Sequence, residues 1–398
     1  MSRSKAKSAF IWNGLDVLMR NGVGFIISVV LARLLVPEDF GTLALLALFL
    51  GIANLFVNAG FSVALIQKQN ATHTDESTVF WFNIASAFIL TLALMAFSPW
   101  LAAFFSLPIL SPLTKFMACN IFISAVGSIH NVLLVKQLDF KTLIKVGSVS
   151  TIISGCIGIY MAIAGYGIWA LAGHAISSAL VRTVLLWVVS SWRPKFRFSY
   201  SSFRKLSSFG GWIFAAHSLD TIYQRGYTIL IGKFYGTHAL GIYNRADSTQ
   251  QLPIGILTSL VTRVTFPLFS SVNKDTVRLL RGVKLSVRSI TLVTTPAMVG
   301  LGVLAEPFIG VIFGEQWLPA VPILQVLCIT GILWPLHAIN LNALQAQGHA
   351  KLFFRLAIIK KTIGIFTLII GSFFGVMGIA WSRVIQSFIS VLINAYYT

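Results

Sequence analysis

Three observations predict an all-α polytopic membrane protein, with about 12 transmembrane helices forming two pseudo-symmetric six-helix lobes around a central cavity. Composition is the first: of 398 residues, 56% are hydrophobic and 10% charged, with a mean hydropathy of +0.83. Soluble domains carry about 25% charged residues. The second is the cutting of the apolar sequence into runs near the roughly 20 residues that a helix needs to cross a hydrocarbon core. The third is a repeat at about half the chain length.

The first run, 9–32, contains Asp16 and Arg20 and has no small-residue cleavage site, so it reads as a span and not as a cleavable signal. It ends in the dense corner Leu31-Ala-Arg-Leu-Leu-Val-Pro-Glu-Asp-Phe-Gly-Thr-Leu43. A charged knot so short is the corner of a membrane hairpin. Pro37 opens the next helix, and Glu38 and Asp39 fall in its first turn, where acids complement the helix dipole. The following spans are 42–65, 79–97, 113–135, 146–164 and 168–191, which complete an N-lobe at 1–191. A basic linker at 192–207 leads to a C-lobe at 208–398, with spans 208–232, 242–262, 288–305, 321–343, 354–373 and 375–397. The last residues, Ile393-Asn-Ala-Tyr-Tyr-Thr398, carry no polar tail, as expected of a chain that stops where span twelve leaves the bilayer.

Charge fixes the expected orientation. The N-terminus and the even connections, with the span ends beside them, hold 22 of the 30 Lys and Arg. The odd connections hold only Arg33, Lys115, Lys233 and Arg245. By the positive-inside rule both termini are expected to be cytoplasmic. The same rule accounts for the net charge of +19, because the basic residues are spread between spans and no domain is long enough to grip a duplex. Nucleic acid is therefore excluded as a partner.

The repeat has two offsets. At 200, Trp12 meets Trp212, Arg33 meets Lys233 and Gly41 meets Gly241; at about 210, Lys141 meets Lys351 and Lys145 meets Arg355. Gly165-Tyr-Gly-Ile168 then resembles Gly375-Val-Met-Gly-Ile379. Six spans per half is an even number, so the halves are expected to be related by an axis along the membrane normal. Transporters commonly bind substrate between such halves.

Four arginines, Arg20, Arg182, Arg225 and Arg383, lie inside spans. A charge at the bilayer centre costs roughly 2.5–3.5 kcal/mol, so an interior cavity is a simpler placement than lipid. Helical spacing gathers them into polar stripes: Asn13, Asp16 and Arg20 on span one; His174, Ser178 and Arg182 on span six; His217, Asp220 and Gln224 on span seven; Arg383, Gln386, Ser387, Ser390 and Asn394 on span twelve. Asp16 and Arg20, one turn apart, either neutralise each other or line the cavity. Arg182 and Arg383 have no acid one turn away, and Asp220 is five residues from Arg225. Cations in a cavity imply an anionic substrate, and phosphate matches the guanidinium fork. Asp16 and Asp220 are candidates for ion coupling, as a carboxylate in low dielectric can exchange a proton or hold Na⁺. His130, His174, His217 and His337 are expected to serve as helix–helix hydrogen-bond donors, and Cys119, Cys156 and Cys328 as small buried hydrophobes.

No catalytic or metal site is expected. The chain has no GxxxxGK[ST], GxSxG, HExxH or CxxC, so neither an ATP motor nor a hydrolase elbow nor a zinc site is supported. A membrane polymerase or ligase would need large outer loops, and the outer connections run to about 16 residues at most. No cofactor is expected beyond a coupling proton or Na⁺.

The motif Ala32-Arg-Leu-Leu-Val-Pro-Glu-Asp-Phe-Gly41, followed by Asn58-Ala-Gly-Phe61, resembles the signature of Wzx-type polysaccharide flippases. These belong to the multidrug/oligosaccharidyl-lipid/polysaccharide exporter superfamily. Lys136-Gln-Leu-Asp-Phe140, Gly165-Tyr-Gly-Ile-Trp-Ala170 and Leu240-Gly-Ile-Tyr-Asn244 agree, and Gly314-Glu-Gln-Trp317 with Leu327-Cys-Ile-Thr-Gly331 is similar to the colanic-acid-exporter branch. The resemblance implies a flippase of the bacterial inner membrane. Its cargo would be an undecaprenyl-pyrophosphate-linked oligosaccharide for exopolysaccharide or lipopolysaccharide synthesis, moved by alternating access. A polysaccharide polymerase and chain-length machinery are the implied partners, alongside membrane lipids. Members of that branch run longer by a C-terminal hairpin, which in related lipid II flippases forms a groove for the lipid tail; the resemblance implies that this chain lacks it. A cation-coupled multidrug antiporter of the same superfamily is the alternative, and it would carry an acidic, aromatic cavity instead.

Overall fold

A computed structural model describes residues 22–58, 61–68, 70–271, 276–346 and 350–397, with some side chains inside helices, chiefly in 205–224, 256–279 and 341–354, outside the description. Among the described residues the chain is almost entirely helical, without strands. The helices are α1 (Gly22–Leu34), α2 (Pro37–Asn58), α3 (Phe61–Gln67), α4 (His73–Phe105), α5 (Leu110–Lys136), α6 (Phe140–Ile163) and α7 (Ile168–Val189). They continue with α8 (Tyr200–Phe234), α9 (Gly236–Ser271), α10 (Thr276–Val303), α11 (Ala305–Ile312), a 3-10 turn (Glu315–Ala320), α12 (Val321–Ala346), α13 (Ala350–Ser372) and α14 (Gly375–Tyr397). Each expected span falls on one of them, the first on α1 as far as it is described and the second on α2 and α3 together. Among the described residues, eight helices are long and apolar enough to cross a membrane. The others expected to cross include α8, α9 and α13, which carry charges along their length, among them Arg225, Arg245 and Lys360.

Apolar side chains point outward as well as inward. On α4, Phe88, Ile89 and Leu92 are each at least half exposed while Val79, Phe80 and Ala87 are buried. That pattern suits lipid as the surrounding solvent. Lipid tails are as apolar as Leu, so close packing, not hydrophobic burial, has to hold these helices together. Small residues supply it: a Cβ added to Gly371 on α13 would lie 2.6 Å from the carbonyl of Gly378 on α14.

The chain divides into two compact units, 1–228 and 229–398. In the first, α5 packs against α2, α4 and α7, and α6 lies on α7. In the second, α12 packs against α9, α10 and α14, and α13 lies on α14. Spans four and ten thus hold the same central place, which is the sequence repeat expressed as packing. Corners repeat too. Gly165, between α6 and α7, and Gly375, at the start of α14, have φ of 81° and 78°, a left-handed conformation that costs other residues about 1–2 kcal/mol. The dense corner at Leu31–Leu43 is tight as expected: α1 ends at Leu34 and α2 opens at Pro37 with Glu38 and Asp39 in its first turn.

The segment expected as a linker is non-helical from Ser190 to Ser199, with a tight turn where the Arg197 N–H bonds Lys195 O at 2.7 Å. It is strapped to the start of α4. Thr72 caps α4 in a reciprocal capping box with Asp75, and Lys68 pairs with Asp75 at 2.6 Å. One turn on, Glu76 Oε2 accepts the Trp192 indole N–H at 2.8 Å, Ser77 Oγ the Lys195 N–H at 3.3 Å and Thr78 Oγ1 the Ser199 N–H at 3.1 Å. In return, the Trp81 indole donates to Lys195 O at 2.9 Å. Trp192 also stacks on His73, with ring centroids 5.6 Å apart. Of the cysteines, Cys328 is buried as expected, but Cys156 is exposed on α6.

Candidate functional site

The expected site residues divide between the units. Arg182 and Arg225 belong to the first and Arg383 to the second. Asp16 and Arg20 lie outside the described residues, as do the side chains of His217, Asp220 and Gln224, although Asp220 falls within α8.

Arg182 is half-buried on α7, and its Nη2 donates to Asn131 Oδ1 on α5 at 2.9 Å. An amide oxygen orients a guanidinium without cancelling its charge. The rest of that stripe is spent on helix contacts. Ser178 receives Ser150 of α6, whose hydroxyl donates to Ser178 O at 3.0 Å, and His174 packs over Gly158, where a Cβ would sit 2.8 Å from the His174 Cβ. Arg225 is half-buried on α8.

Arg383 differs from the expectation of a cation with no acid to neutralise it. Its Nη1 donates to Asp247 Oδ1 at 2.6 Å and lies 3.3 Å from the Tyr243 hydroxyl, both on α9. Asp247 was legible as an acid inside an apolar helix, but its partner lies 136 residues away, beyond any one-turn spacing. In the rest of the span-twelve stripe Ser387, Ser390 and Asn394 are buried and Gln386 is half-buried. His337 Nε2 on α12 lies 3.0 Å from Ser387 Oγ, Lys360 Nζ on α13 donates to Asn394 Oδ1 at 2.9 Å, and Gln386 Nε2 to Ser390 Oγ at 3.1 Å. His337 thus bonds between helices as expected. His130 does not: it is fully buried, both ring nitrogens lack a hydrogen-bond partner, and its ring leans on Trp187 at 4.8 Å.

Two motif segments meet in the second unit. Arg245, directly after Leu240-Gly-Ile-Tyr-Asn244, is sandwiched between the rings of Phe313 and Trp317, each 4.6 Å from its guanidinium carbon. Trp317 and Phe313 are almost wholly buried. Each desolvated cation–π contact is worth about 2 kcal/mol, so Gly314-Glu-Gln-Trp317 works as a clasp on α9 and not as a ligand site. Gly314 has φ of 103°, which makes the turn into that clasp. Among the described residues no cluster of His, Cys, Asp and Glu is placed to hold a metal.

A family described as "Polysaccharide biosynthesis protein" matches residues 30–322. The teichuronic acid biosynthesis protein TuaB of Bacillus subtilis is 35% identical over 307 residues, 76% of this chain and 63% of that one. The succinoglycan biosynthesis transport protein ExoT of Rhizobium meliloti is 30% identical over 88% of this chain and 71% of its own. The lipopolysaccharide biosynthesis protein WzxC of Escherichia coli is 25% identical over 99% of this chain and 81% of its own. The match therefore spans less than two thirds of TuaB and more than that of the other two. Among solved structures, the lipid II flippase MurJ in an inward closed conformation superposes with a TM-score of 0.80 at 17% identity, covering 98% of this chain and 87% of that one. An inward-facing multidrug resistance transporter of the MATE family gives 0.68 at 15% identity, with 98% of both chains covered. At such identities the likeness is one of fold.

Proposed function

The chain belongs to the polysaccharide biosynthesis protein family, and from that premise we propose that it is a flippase for lipid-linked oligosaccharide. The cargo is an undecaprenyl-pyrophosphate-linked repeat unit, carried across the bacterial inner membrane by alternating access and used for exopolysaccharide or lipopolysaccharide synthesis. The observation that carries this reading is the family match over residues 30–322, joined to relatives named for polysaccharide biosynthesis and transport. Both termini are cytoplasmic, the orientation that puts the basic connections inside. The protein performs no catalytic step. A polysaccharide polymerase and chain-length machinery receive the cargo after transfer.

Arg20, Arg182, Arg225 and Arg383 bind the pyrophosphate. Arg182 is the best supported, because its bond to the Asn131 amide oxygen fixes the guanidinium between α5 and α7, and a guanidinium fork matches phosphate. Arg383 already shares its charge with Asp247, so cargo would compete with that carboxylate for it. A proton or Na⁺ gradient drives transport, with Asp16 and Asp220 as the exchanging carboxylates.

Reconstituted vesicles with a defined fluorescent lipid-linked glycan test the reading. Flipping should depend on the protein and accelerate under a proton or Na⁺ gradient; no flipping of any lipid-linked glycan would sink it. In cells, Arg182→Ala should cut export at least tenfold, equal to a loss of about 1.4 kcal/mol of interaction. Undiminished export at normal protein levels would remove Arg182 from the site.

A further inference from the structure

At the end of the first unit that carries the 190–199 strap, α5 and α7 leave a notch open on one side. Its volume is about 440 Å³, and its walls are Val126, Thr183, Val184, Trp187, Val188 and Arg193. The wall's uncharged polar groups are already used: Thr183 Oγ1 donates to Ile123 O and Trp187 Nε1 to Val126 O, each at 3.0 Å. Val184 and Val188 are 52% and 73% exposed. Below the arginine the notch therefore offers only hydrocarbon.

Arg193 stands at its rim in a fixed pose. Its Nη1 donates to Ser190 O at 2.5 Å and Trp192 O at 2.7 Å, its Nη2 donates to Trp187 O at 3.1 Å, and the guanidinium carbon lies 5.5 Å from the Trp187 ring centroid. Three of its five N–H groups are engaged, all with neutral carbonyls. Among the described residues no carboxylate bonds it, so Nε–H, one Nη2 hydrogen and the full positive charge are left for an external anion. The rings around it fix its depth. Trp81, Trp187, Trp192 and Phe196 cluster here, with Trp81 and Phe196 stacked at 4.8 Å, and tryptophans collect at the bilayer interface. Headgroup phosphates lie at that depth, and acyl chains begin just below.

We propose that this notch binds one anionic phospholipid, its phosphodiester on Arg193 and the top of an acyl chain along Val184 and Val188. A rigid guanidinium suits a phosphate, and the uncompensated charge favours a lipid of net negative charge over a zwitterion, whose ammonium would face the arginine. The site is independent of the transport reading, because it needs neither the cargo nor the arginines assigned to it.

The test is native mass spectrometry of the full chain in detergent, with phosphatidylglycerol and phosphatidylcholine of identical acyl chains added in equal amounts. The wild type should retain phosphatidylglycerol in preference, and Arg193→Gln should lose that preference at least tenfold. Arg197→Gln, an exposed charge on the same strap, should leave it unchanged. Val184→Trp fills the notch without touching the guanidinium and should also lose the bound lipid, which tests the site even if Arg193→Gln loosens the strap. Equal retention of the two lipids by the wild type, retention by Val184→Trp, or equal losses in Arg193→Gln and Arg197→Gln would overturn the proposal.

Discussion

Arg383 lies 2.6 Å from Asp247, with side chains 29% and 14% exposed. Neither is fully desolvated, so the pair behaves as a charge-assisted hydrogen bond worth about 1.5–3 kcal/mol. Asp247→Asn should therefore lower the stability of the detergent-solubilised protein by that order. Arg383→Gln in the same background should recover most of the loss, because the charge that lost its carboxylate is then removed. A double-mutant cycle by thermal unfolding measures it, and additive losses would rule out the coupling. Trp317 makes a larger claim. Truncating a fully buried Trp to Ala costs about 3–5 kcal/mol, and here it also strips one ring from Arg245. Trp317→Phe keeps an aromatic face and should retain more than half of that stability. These partnerships were illegible in the sequence for one reason: helical spacing reports neighbours within a turn or two, whereas a membrane charge finds its partner on another helix. The charges themselves stood out plainly. The acids and rings that meet them did not.

At the scale of elements, the 190–199 segment reads in sequence as a basic connection, and its composition alone suits a loose linker. Its indole and backbone N–H groups instead engage three consecutive side chains, Glu76, Ser77 and Thr78, on the first turns of α4. Trp192→Ala removes the bond to Glu76 and the stack on His73. Trypsin should then cleave at Lys195 or Arg197 severalfold faster in the purified protein, with the helices intact by circular dichroism. An unchanged cleavage rate would mean that the ring does not hold the strap. Helix positions were far easier to read than this strap. A run of apolar residues near the thickness of a bilayer has one stable conformation, because backbone groups in lipid must bond within the helix. Gly165, Gly236 and Gly375 sit at corners between helices, and each takes a φ near 80°. The strap depends on pairings more than 110 residues apart, and no local pattern announces those.

For the molecule as a whole, the repeat was the most informative feature of the sequence. The packing follows the same period: α5 and α12 are central in their units, and α6–α7 and α13–α14 pair alike. The orientation can be read with single cysteines placed in a background free of Cys119, Cys156 and Cys328. A cysteine at Gln316 or Pro108, both exposed on odd connections, should react with a membrane-impermeant maleimide in intact cells. One at Lys141 or Lys195 should react only after the membrane is opened. The reverse pattern would invert the topology.

The clasp on Arg245 also bears on how the second unit is made. Trp317 follows Arg245 by some 70 residues, and a ribosome adding about 5–20 residues per second needs on the order of ten seconds to supply it. Asp247 waits longer still for Arg383. During synthesis α9 enters the bilayer carrying a cation and a carboxylate before Phe313, Trp317 and Arg383 exist to meet them. The late helices are thus more than additions to a finished scaffold, since their arrival makes an earlier one tolerable to the membrane. Ribosomes stalled before Trp317 should leave α9 poorly committed to its final place, and release past Arg383 should lock it.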